Sequence, residues 1–133
     1  MKINNKNKIV LLIDGHYLMF RSWFGIPNPM INNNGIEVRA IYGFFNTTFR
    51  LLKNLNPTHL AIVFDPKGPT FRNELYSEYK ANRSETPQEL KKQLEIITKK
   101  LPSTNLKSIT VENYEADDVL GTIGKTLSNE KTK

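Results

Sequence analysis

The sequence predicts an α/β fold in which a parallel β-sheet is flanked by helices. Residues 8–14 and 59–65 are continuous apolar runs that each end in an aspartate, and such runs are typical of strands buried in a parallel sheet. Between them, residues 38–54 carry apolar side chains at three- and four-residue steps, which predicts an amphipathic helix. This order of strand, helix and strand predicts a right-handed crossover unit.

Two more helices and a third strand are predicted downstream. Residues 86–89, Thr-Pro-Gln-Glu, match a capping box with proline at the first helical position, and the apolar stripe that follows ends at Pro102. Residues 107–112 are rich in β-branched side chains and predict a strand, whereas 115–127 predict a helix. Residues 15–24 receive no assignment. Without an internal repeat or a linker, the 133 residues are expected to form one domain.

Composition narrows the class of protein. The absence of cysteine excludes disulfides and thiolate metal sites, and the five-residue apolar run at 9–13 is far too short to cross a bilayer. We therefore expect a cytoplasmic protein with no membrane partner. The net charge of +6 suits an anionic polymer, although a solvated basic surface explains the charge equally well. The two histidines, His16 and His59, are too few for a zinc site, and neither is assigned a chemical role.

Carboxylates gather where the predicted strands end. Glu115, Asp117 and Asp118 crowd a strand-to-helix junction, where a single acid would suffice to cap the helix. Asp14 and Asp65 close the first two strands, and parallel strands bring their carboxyl ends to one edge of a sheet. Five oxygen donors without sulfur suit Mg²⁺ or Mn²⁺. Simple helix capping is the competing interpretation.

Aromatic and basic residues alternate in the segment 66–83. Arg72, Tyr79, Lys80 and Arg83 could neutralise phosphates and stack on unpaired bases, or they could lie on the solvated face of an amphipathic helix. Beside a metal site, the first interpretation predicts phosphodiester hydrolysis, with Lys80 and Arg83 stabilising the charge that builds up on the phosphate. Composition and spacing alone leave a nuclease, a phosphatase and a phosphotransferase open.

Five sequence motifs together carry a family resemblance: Ile-Asp-Gly-His at 13–16, Tyr-Gly-Phe at 42–44, Val-Phe-Asp-Pro-Lys-Gly-Pro-Thr-Phe-Arg at 63–72, Tyr-Lys-Ala-Asn-Arg at 79–83 and Tyr-Glu-Ala-Asp-Asp at 114–118. From about Ile9 to Leu127 the chain resembles the N-terminal 5′-3′ exonuclease domain of bacterial DNA polymerase I, in the flap endonuclease family. The resemblance implies a PIN-like, Rossmann-like parallel sheet with a helical arch inserted at about 66–107. It also implies a metal-dependent nuclease of replication and repair, which is expected to be a nucleoid-associated monomer.

The resemblance assigns roles to individual residues. The implied metal ligands are Asp14, Asp65, Glu115, Asp117 and Asp118. The implied contacts to nucleic acid are Arg21, Arg72, Tyr79, Lys80 and Arg83, of which Lys80 and Arg83 are also expected to be catalytic. The implied substrates are DNA with a 5′ flap or a single-stranded 5′ end, and RNA primer–DNA hybrids. Asn113 stands where glycine is common in this family, so its turn is expected to differ slightly.

The sequence also departs from the family pattern. In the family, a further strand and two aspartate-rich motifs complete a second metal site, and a helix-hairpin module that grips duplex DNA follows. Residues 1–133 contain none of these, so we expect the N-terminal part of an exonuclease domain that is incomplete relative to the family, with an exposed sheet edge beside the first strand. The alternative is a non-catalytic DNA-binding fragment of the same fold.

Overall fold

The computed structural model describes residues 8–68, 70–75, 80 and 85–128. Its sheet has three parallel strands in the order β1 (Val10–Asp14), β2 (His59–Phe64) and β3 (Ser108–Thr110). In the register of this sheet, Asp14 of β1 pairs with Val63 of β2. The predicted α/β class with a parallel sheet is confirmed, and the two long strands lie within the predicted runs.

Five α-helices and one 3₁₀ turn surround the described strands: α1 (Gly15–Gly25), α2 (Arg39–Leu55), α3 (Phe71–Leu75), α4 (Gln88–Lys100), the 3₁₀ turn (Leu101–Ser103) and α5 (Ala116–Ser128). Helices α1, α2 and α4 contact one another, and α5 contacts β1 and β2. No helix in the described ranges has the length and apolar character that a membrane span requires. The bounds of α2 and α5 agree with the predictions to within one residue.

Helix α1 is an element that the sequence analysis missed. It begins directly after β1 because the Asp14 side chain accepts a hydrogen bond from the Tyr17 N–H group at 3.0 Å, which caps the first turn. Its buried residues include Leu18 and Met19, while the aromatic Tyr17 and Phe24 are exposed. Apolar residues on both faces weaken the helical period, so the pattern carried little signal.

The start of α4 differs from the predicted capping box. The carbonyl of Pro87 accepts the N–H of Lys91 at 3.0 Å, which makes Pro87 the cap residue rather than the first helical residue. Pro87 offers no side-chain hydrogen bond to the helix, and Thr86 lies one position too early to do so. The prediction of a Thr86 capping box is therefore wrong.

A side chain from α4 instead caps α2. The Oε1 atom of the buried Gln93 accepts the N–H groups of Ala40 and Ile41 at 2.8 and 3.1 Å. Its amide nitrogen donates to the Glu37 carboxylate, which also accepts from Arg39 Nε at 2.7 Å. This buried network fixes α4 against the start of α2, because each member would lose a hydrogen-bond partner if the helices separated.

The core lies between the sheet and helices α1, α2 and α4. Phe44 and Phe64 stack with their ring centroids 6.4 Å apart, and Leu90, Ile97 and Leu101 belong to the same buried cluster. Helix α4 thus contributes buried side chains to the core. The arch over about 66–107 stays a prediction, and residues 69, 76–79 and 81–84 of that range lie outside the described residues.

Gly15 tests how tightly the chain is packed at the carboxyl end of β1. A Cβ atom at Gly15 would lie 2.4 Å from the Phe64 ring, so Gly15→Ala should lower the free energy of unfolding by about 1–3 kcal/mol through overpacking. Gly121→Ala is the matched control, because nothing lies within 4 Å of its added Cβ and alanine favours the helix by up to about 1 kcal/mol. Urea unfolding that ranks Gly15→Ala as no less stable than Gly121→Ala would contradict this packing.

Candidate active site

Three chain segments meet at the carboxyl edge of the sheet. Asp14 ends β1, Asp65 directly follows β2, and α5 begins at Ala116 after β3. One carboxylate oxygen of Asp65 accepts the N–H of Ala116 at 2.7 Å. This hydrogen bond joins the end of β2 to the first turn of α5, which also carries Asp117, so residues 51 positions apart in sequence share one edge.

The carboxylates at this edge influence one another. Burial is the largest cause that raises the pKa of Asp14, and the negative charges of Asp117 and Asp65 raise it further. The hydrogen bond from the Tyr17 N–H opposes this rise. Within the described part of the chain, neither Asp14 nor Asp117 forms an ion pair with lysine or arginine. We call Asp14, Asp65 and Asp117 the aspartate rim.

His16 has a structural position beside this rim. Its Nδ1 atom accepts the backbone N–H of Asp65 at 3.1 Å and lies 3.9 Å from the Asp65 carboxylate. Burial lowers the pKa of His16 despite the nearby charges of Asp65 and Asp14, which favours the neutral ring with its proton on Nε2. The ring also packs edge-on against Phe64. Its position two residues after Asp14 was the one signal in the sequence for this contact.

A second group of charges lies next to the rim. The Arg72 guanidinium contacts both oxygens of Asp118, with Nη1 at 2.5 Å and Nη2 at 2.7 Å, and Nη1 reaches Glu115 at 3.1 Å. Lys80 Nζ lies 2.6 Å from the other oxygen of Glu115, a residue only 8% exposed. The guanidinium also lies 4.7 Å from the centre of the Phe71 ring. We call Arg72, Lys80, Glu115 and Asp118 the cation clamp.

Backbone contacts hold the clamp in place. The N–H of Phe71 donates to the carbonyl of Asn113 at 2.9 Å, and the rings of Phe71 and Tyr114 lie 5.5 Å apart. Asn113 has a φ of 70°, a left-handed conformation that asparagine adopts more readily than most residues and glycine most readily of all. The turn can therefore keep a conformation suited to glycine although asparagine occupies it.

The five predicted metal ligands thus fall into two groups instead of one cluster. The rim keeps three carboxylates close together, while the clamp neutralises Glu115 and Asp118; hydrogen bonding from Arg72 is the largest cause that lowers the pKa of Asp118. Across residues 8–68, 70–75, 80 and 85–128, no three acidic or histidine side chains are arranged to hold one metal ion. Arg72 and Lys80 already compensate two of the five charges, those of Glu115 and Asp118.

The five residues predicted to contact nucleic acid do not lie together in the described structure. Arg72 and Lys80 contact carboxylates in the clamp. Arg21 is exposed on α1, two turns beyond Asp14, or roughly 10 Å along the helix axis. Tyr79 and Arg83 lie outside the described residues.

The clamp makes a testable contribution to stability. Arg72→Gln leaves Asp118 without its bidentate partner, so we expect the free energy of unfolding at pH 7 to fall by about 2 kcal/mol. The Asp118 pKa is lowered in the folded state, so this stabilisation is complete above the ordinary value of 3.8 and is lost as the pH falls through the lowered pKa. Urea unfolding at several pH values should show the difference between wild type and variant closing in acid.

Lys92→Gln is the control for this measurement. It breaks the exposed pair between Lys92 and Glu89, whose atoms lie 3.1 Å apart, and such pairs contribute less than about 1 kcal/mol. Equal losses for Arg72→Gln and Lys92→Gln, or a difference that persists unchanged below the Asp118 pKa, would contradict the role of the clamp.

Comparison with known proteins identifies the family. Residues 9–133 match the sequence model described as "5′-3′ exonuclease, N-terminal resolvase-like domain". DNA polymerase I of Synechocystis sp. PCC 6803 is 39% identical over 127 residues, which cover 92% of this chain and 13% of that polymerase. The chain spans 13 or 14% of the length of the curated polymerases it matches.

Two solved structures share the fold. A T5 protein co-crystallised with metal ions aligns with a TM-score of 0.63 at 24% identity, over 89% of this chain and 44% of that one. The bacteriophage T5 flap endonuclease, in a complex with DNA and metal ions, aligns with a TM-score of 0.59 at 22% identity, over 92% and 45%. At these identities the likeness concerns the fold. The match over nearly the whole chain shows that this protein belongs to the family of 5′-3′ exonuclease N-terminal resolvase-like domains.

Proposed function

We propose that this chain takes part in the divalent-metal-dependent hydrolysis of phosphodiester bonds at 5′ ends of nucleic acid. The expected substrates are 5′ flaps, single-stranded 5′ ends and RNA primers on DNA. The observation that carries this proposal is the aspartate rim: three acids from three segments share the carboxyl edge of a parallel sheet, where burial and the charges of Asp117 and Asp65 raise the pKa of Asp14. Membership of the exonuclease family supports the same chemistry.

The rim offers the oxygen donors that a hard divalent cation prefers, but among the described residues no three acidic or histidine side chains are arranged around one ion position. Binding would therefore require the three carboxylates to move toward a shared ion. Asp14, Asp65 and Asp117 offer only oxygen ligands, which Mg²⁺ and Mn²⁺ prefer. Burial and the nearby charges of Asp117 and Asp65 raise the Asp14 pKa, and a positive ion between the side chains would offset both effects. Glu115 and Asp118 become available to a metal only when Arg72 and Lys80 move away from them. When bound, the metal supplies an activated water and polarises the phosphoryl oxygen.

The chain's own residues would then position the substrate. The ring of His16 accepts the backbone N–H of Asp65, which helps to keep this residue in its position in the rim. Lys80 and Arg83 are proposed to stabilise charge on the phosphate, and Arg21 to bind a neighbouring phosphate. Arg72 is proposed to bind substrate once it leaves Asp118. Tyr79 is proposed to stack on the terminal base.

The alternative is a module that binds DNA without cutting it. The clamp favours this hypothesis, because Arg72 and Lys80 neutralise Glu115 and Asp118 without a metal. Such a module should bind flap or single-stranded DNA in a salt-dependent way. Its affinity should be indifferent to the double change Asp14→Ala and Asp65→Ala, because no metal takes part in binding.

Cleavage of a labelled 5′-flap oligonucleotide under single-turnover conditions tests the proposed function. With the rest of the exonuclease domain supplied, we expect cleavage in Mg²⁺ or Mn²⁺ and none in chelator, with a loss of about 100-fold or more for Asp65→Asn, because a proposed metal ligand is removed. Asn113→Gly is the control, since it changes the turn beside the clamp without changing any charge. Cleavage that survives chelation or Asp65→Asn would refute the metal mechanism. Binding without cleavage by both the wild type and Asp65→Asn would favour the DNA-binding module.

Asp14→Asn separates the negative charge of Asp14 from the role of its side chain in capping α1. Asparagine caps helices as well as aspartate does and removes a partly buried charge that its neighbours repel. In chelator, the midpoint of thermal unfolding should therefore rise by about 2–4 °C, while the additional rise that Mn²⁺ gives the wild type should shrink.

Asp14→Ala provides the control, since it removes the charge and also the hydrogen bond to the Tyr17 N–H. It should be less stable than Asp14→Asn by about 1 kcal/mol. Differential scanning fluorimetry with and without Mn²⁺ measures all three proteins. If Asp14→Asn lowers the midpoint in chelator or keeps the full response to Mn²⁺, the rim is not a repelled cluster that binds metal.

A further inference from the structure

A basic cleft opens beside the aspartate rim. This cavity of about 760 Å³ is lined by His16 and Asp65, which lie at the carboxyl edge of the sheet, and by Lys67, Lys91 and Lys99. Lys67 follows β2, and the other two lysines belong to α4. The cleft therefore runs from the rim along one side of α4.

The charge of this cleft is predominantly positive away from the rim. Among the described residues that line it, three are lysines, and Glu95 is the one acid besides Asp65. All three lysines are exposed, and none forms an ion pair within the described ranges. An anion entering the cleft would therefore meet cations whose charge is not already neutralised by a bound carboxylate.

The four lysines of α4 divide into two pairs. Lys91 and Lys99 line the cleft, whereas Lys92 and Lys100 do not. Lys92 instead pairs with Glu89. The position of α4 against the core turns one pair toward the cleft and leaves the other outside it.

The spacing of the lysines suits a polymer better than a small anion. Lys91 and Lys99 lie eight residues apart on one helix, a rise of roughly 12 Å. A stacked nucleic-acid strand carries one phosphate per about 3.4 Å of its axis, so about three or four phosphates fit along this distance. A free phosphate or a mononucleotide would contact only part of such a row.

We propose that the basic cleft is the track for the strand that enters the aspartate rim, with Lys67, Lys91 and Lys99 binding its sugar-phosphate backbone. The occupant is the single strand continuous with the phosphate to be cut, so this inference rests on the proposed function. Lys67 holds the phosphates next to Asp65, and Lys91 and Lys99 hold those farther along. The contacts are to phosphates, so the cleft gives affinity and direction without reading base sequence.

Two double variants with the same change of charge test the proposal. Lys91→Gln with Lys99→Gln removes the pair in the cleft, and Lys92→Gln with Lys100→Gln removes the pair outside it. Fluorescence anisotropy with a single-stranded oligonucleotide and a 5′-flap substrate, in chelator and over a range of salt, gives the affinities. Circular dichroism melting curves of both variants establish that each is folded at the assay temperature.

Removing the pair in the cleft should weaken the binding of DNA at least about tenfold at 50 mM salt. It should also reduce the slope of log K against log salt by about 1–2, as expected for two lost phosphate contacts. Removing the pair outside the cleft should change the affinity less than about threefold. Equal effects of the two pairs would overturn the proposal, since only net charge would then matter. If the wild type binds neither oligonucleotide, both the cleft and the proposed function fail; if it binds but the pairs are equal, only the cleft fails.

Chemical protection locates the strand independently. The chain contains no cysteine, so Lys99→Cys and Lys100→Cys each introduce a single thiol at neighbouring positions, inside and outside the cleft. Bound single-stranded DNA should slow alkylation of the thiol introduced at position 99 by about tenfold or more and leave that at position 100 within about twofold. Equal protection of the two thiols, or none at position 99 when the DNA is saturating, would overturn the assignment.

Discussion

The convergence of carboxylates on the carboxyl edge of the sheet shapes the candidate site. The parallel pairing of β1 with β2 brings Asp14 and Asp65 to one edge, and the hydrogen bond from Ala116 to Asp65 adds the first turn of α5. Each contact serves the fold by capping or joining elements. Together they place negative charges where the backbone leaves them little freedom to separate.

The chain compensates this charge in one part of the edge and not in the other. Arg72 and Lys80 neutralise Glu115 and Asp118, and Arg72 is carried on a segment tied to Asn113 by a backbone hydrogen bond. A cation that binds Glu115 or Asp118 has to displace these side chains. A cation bound to Glu115 or Asp118 would therefore compete with Arg72 and Lys80 for the same carboxylates, so its binding would be linked to the position of the segment that carries them.

Sequence reasoning succeeded where a local pattern decides the structure. The unbroken apolar runs gave β1 and β2, the period of residues 38–54 gave α2, and the acids at strand ends marked the edge where Asp14, Asp65 and Asp117 meet. It failed where tertiary contacts decide. Nothing local to α2 announces that Gln93, more than 50 residues away, caps it, and the binding of Arg72 to Asp118 links residues 46 positions apart.

We propose that the aspartate rim binds a divalent cation. Anomalous diffraction from crystals of this chain soaked in Mn²⁺ would locate such an ion, because manganese scatters anomalously and its position does not depend on activity. We predict a peak within coordination distance of carboxylate oxygens of Asp14, Asp65 and Asp117, which disappears in Asp65→Asn. No peak at the rim in saturating Mn²⁺, or a peak that persists unchanged in Asp65→Asn, would show that these three aspartates do not form a cation site.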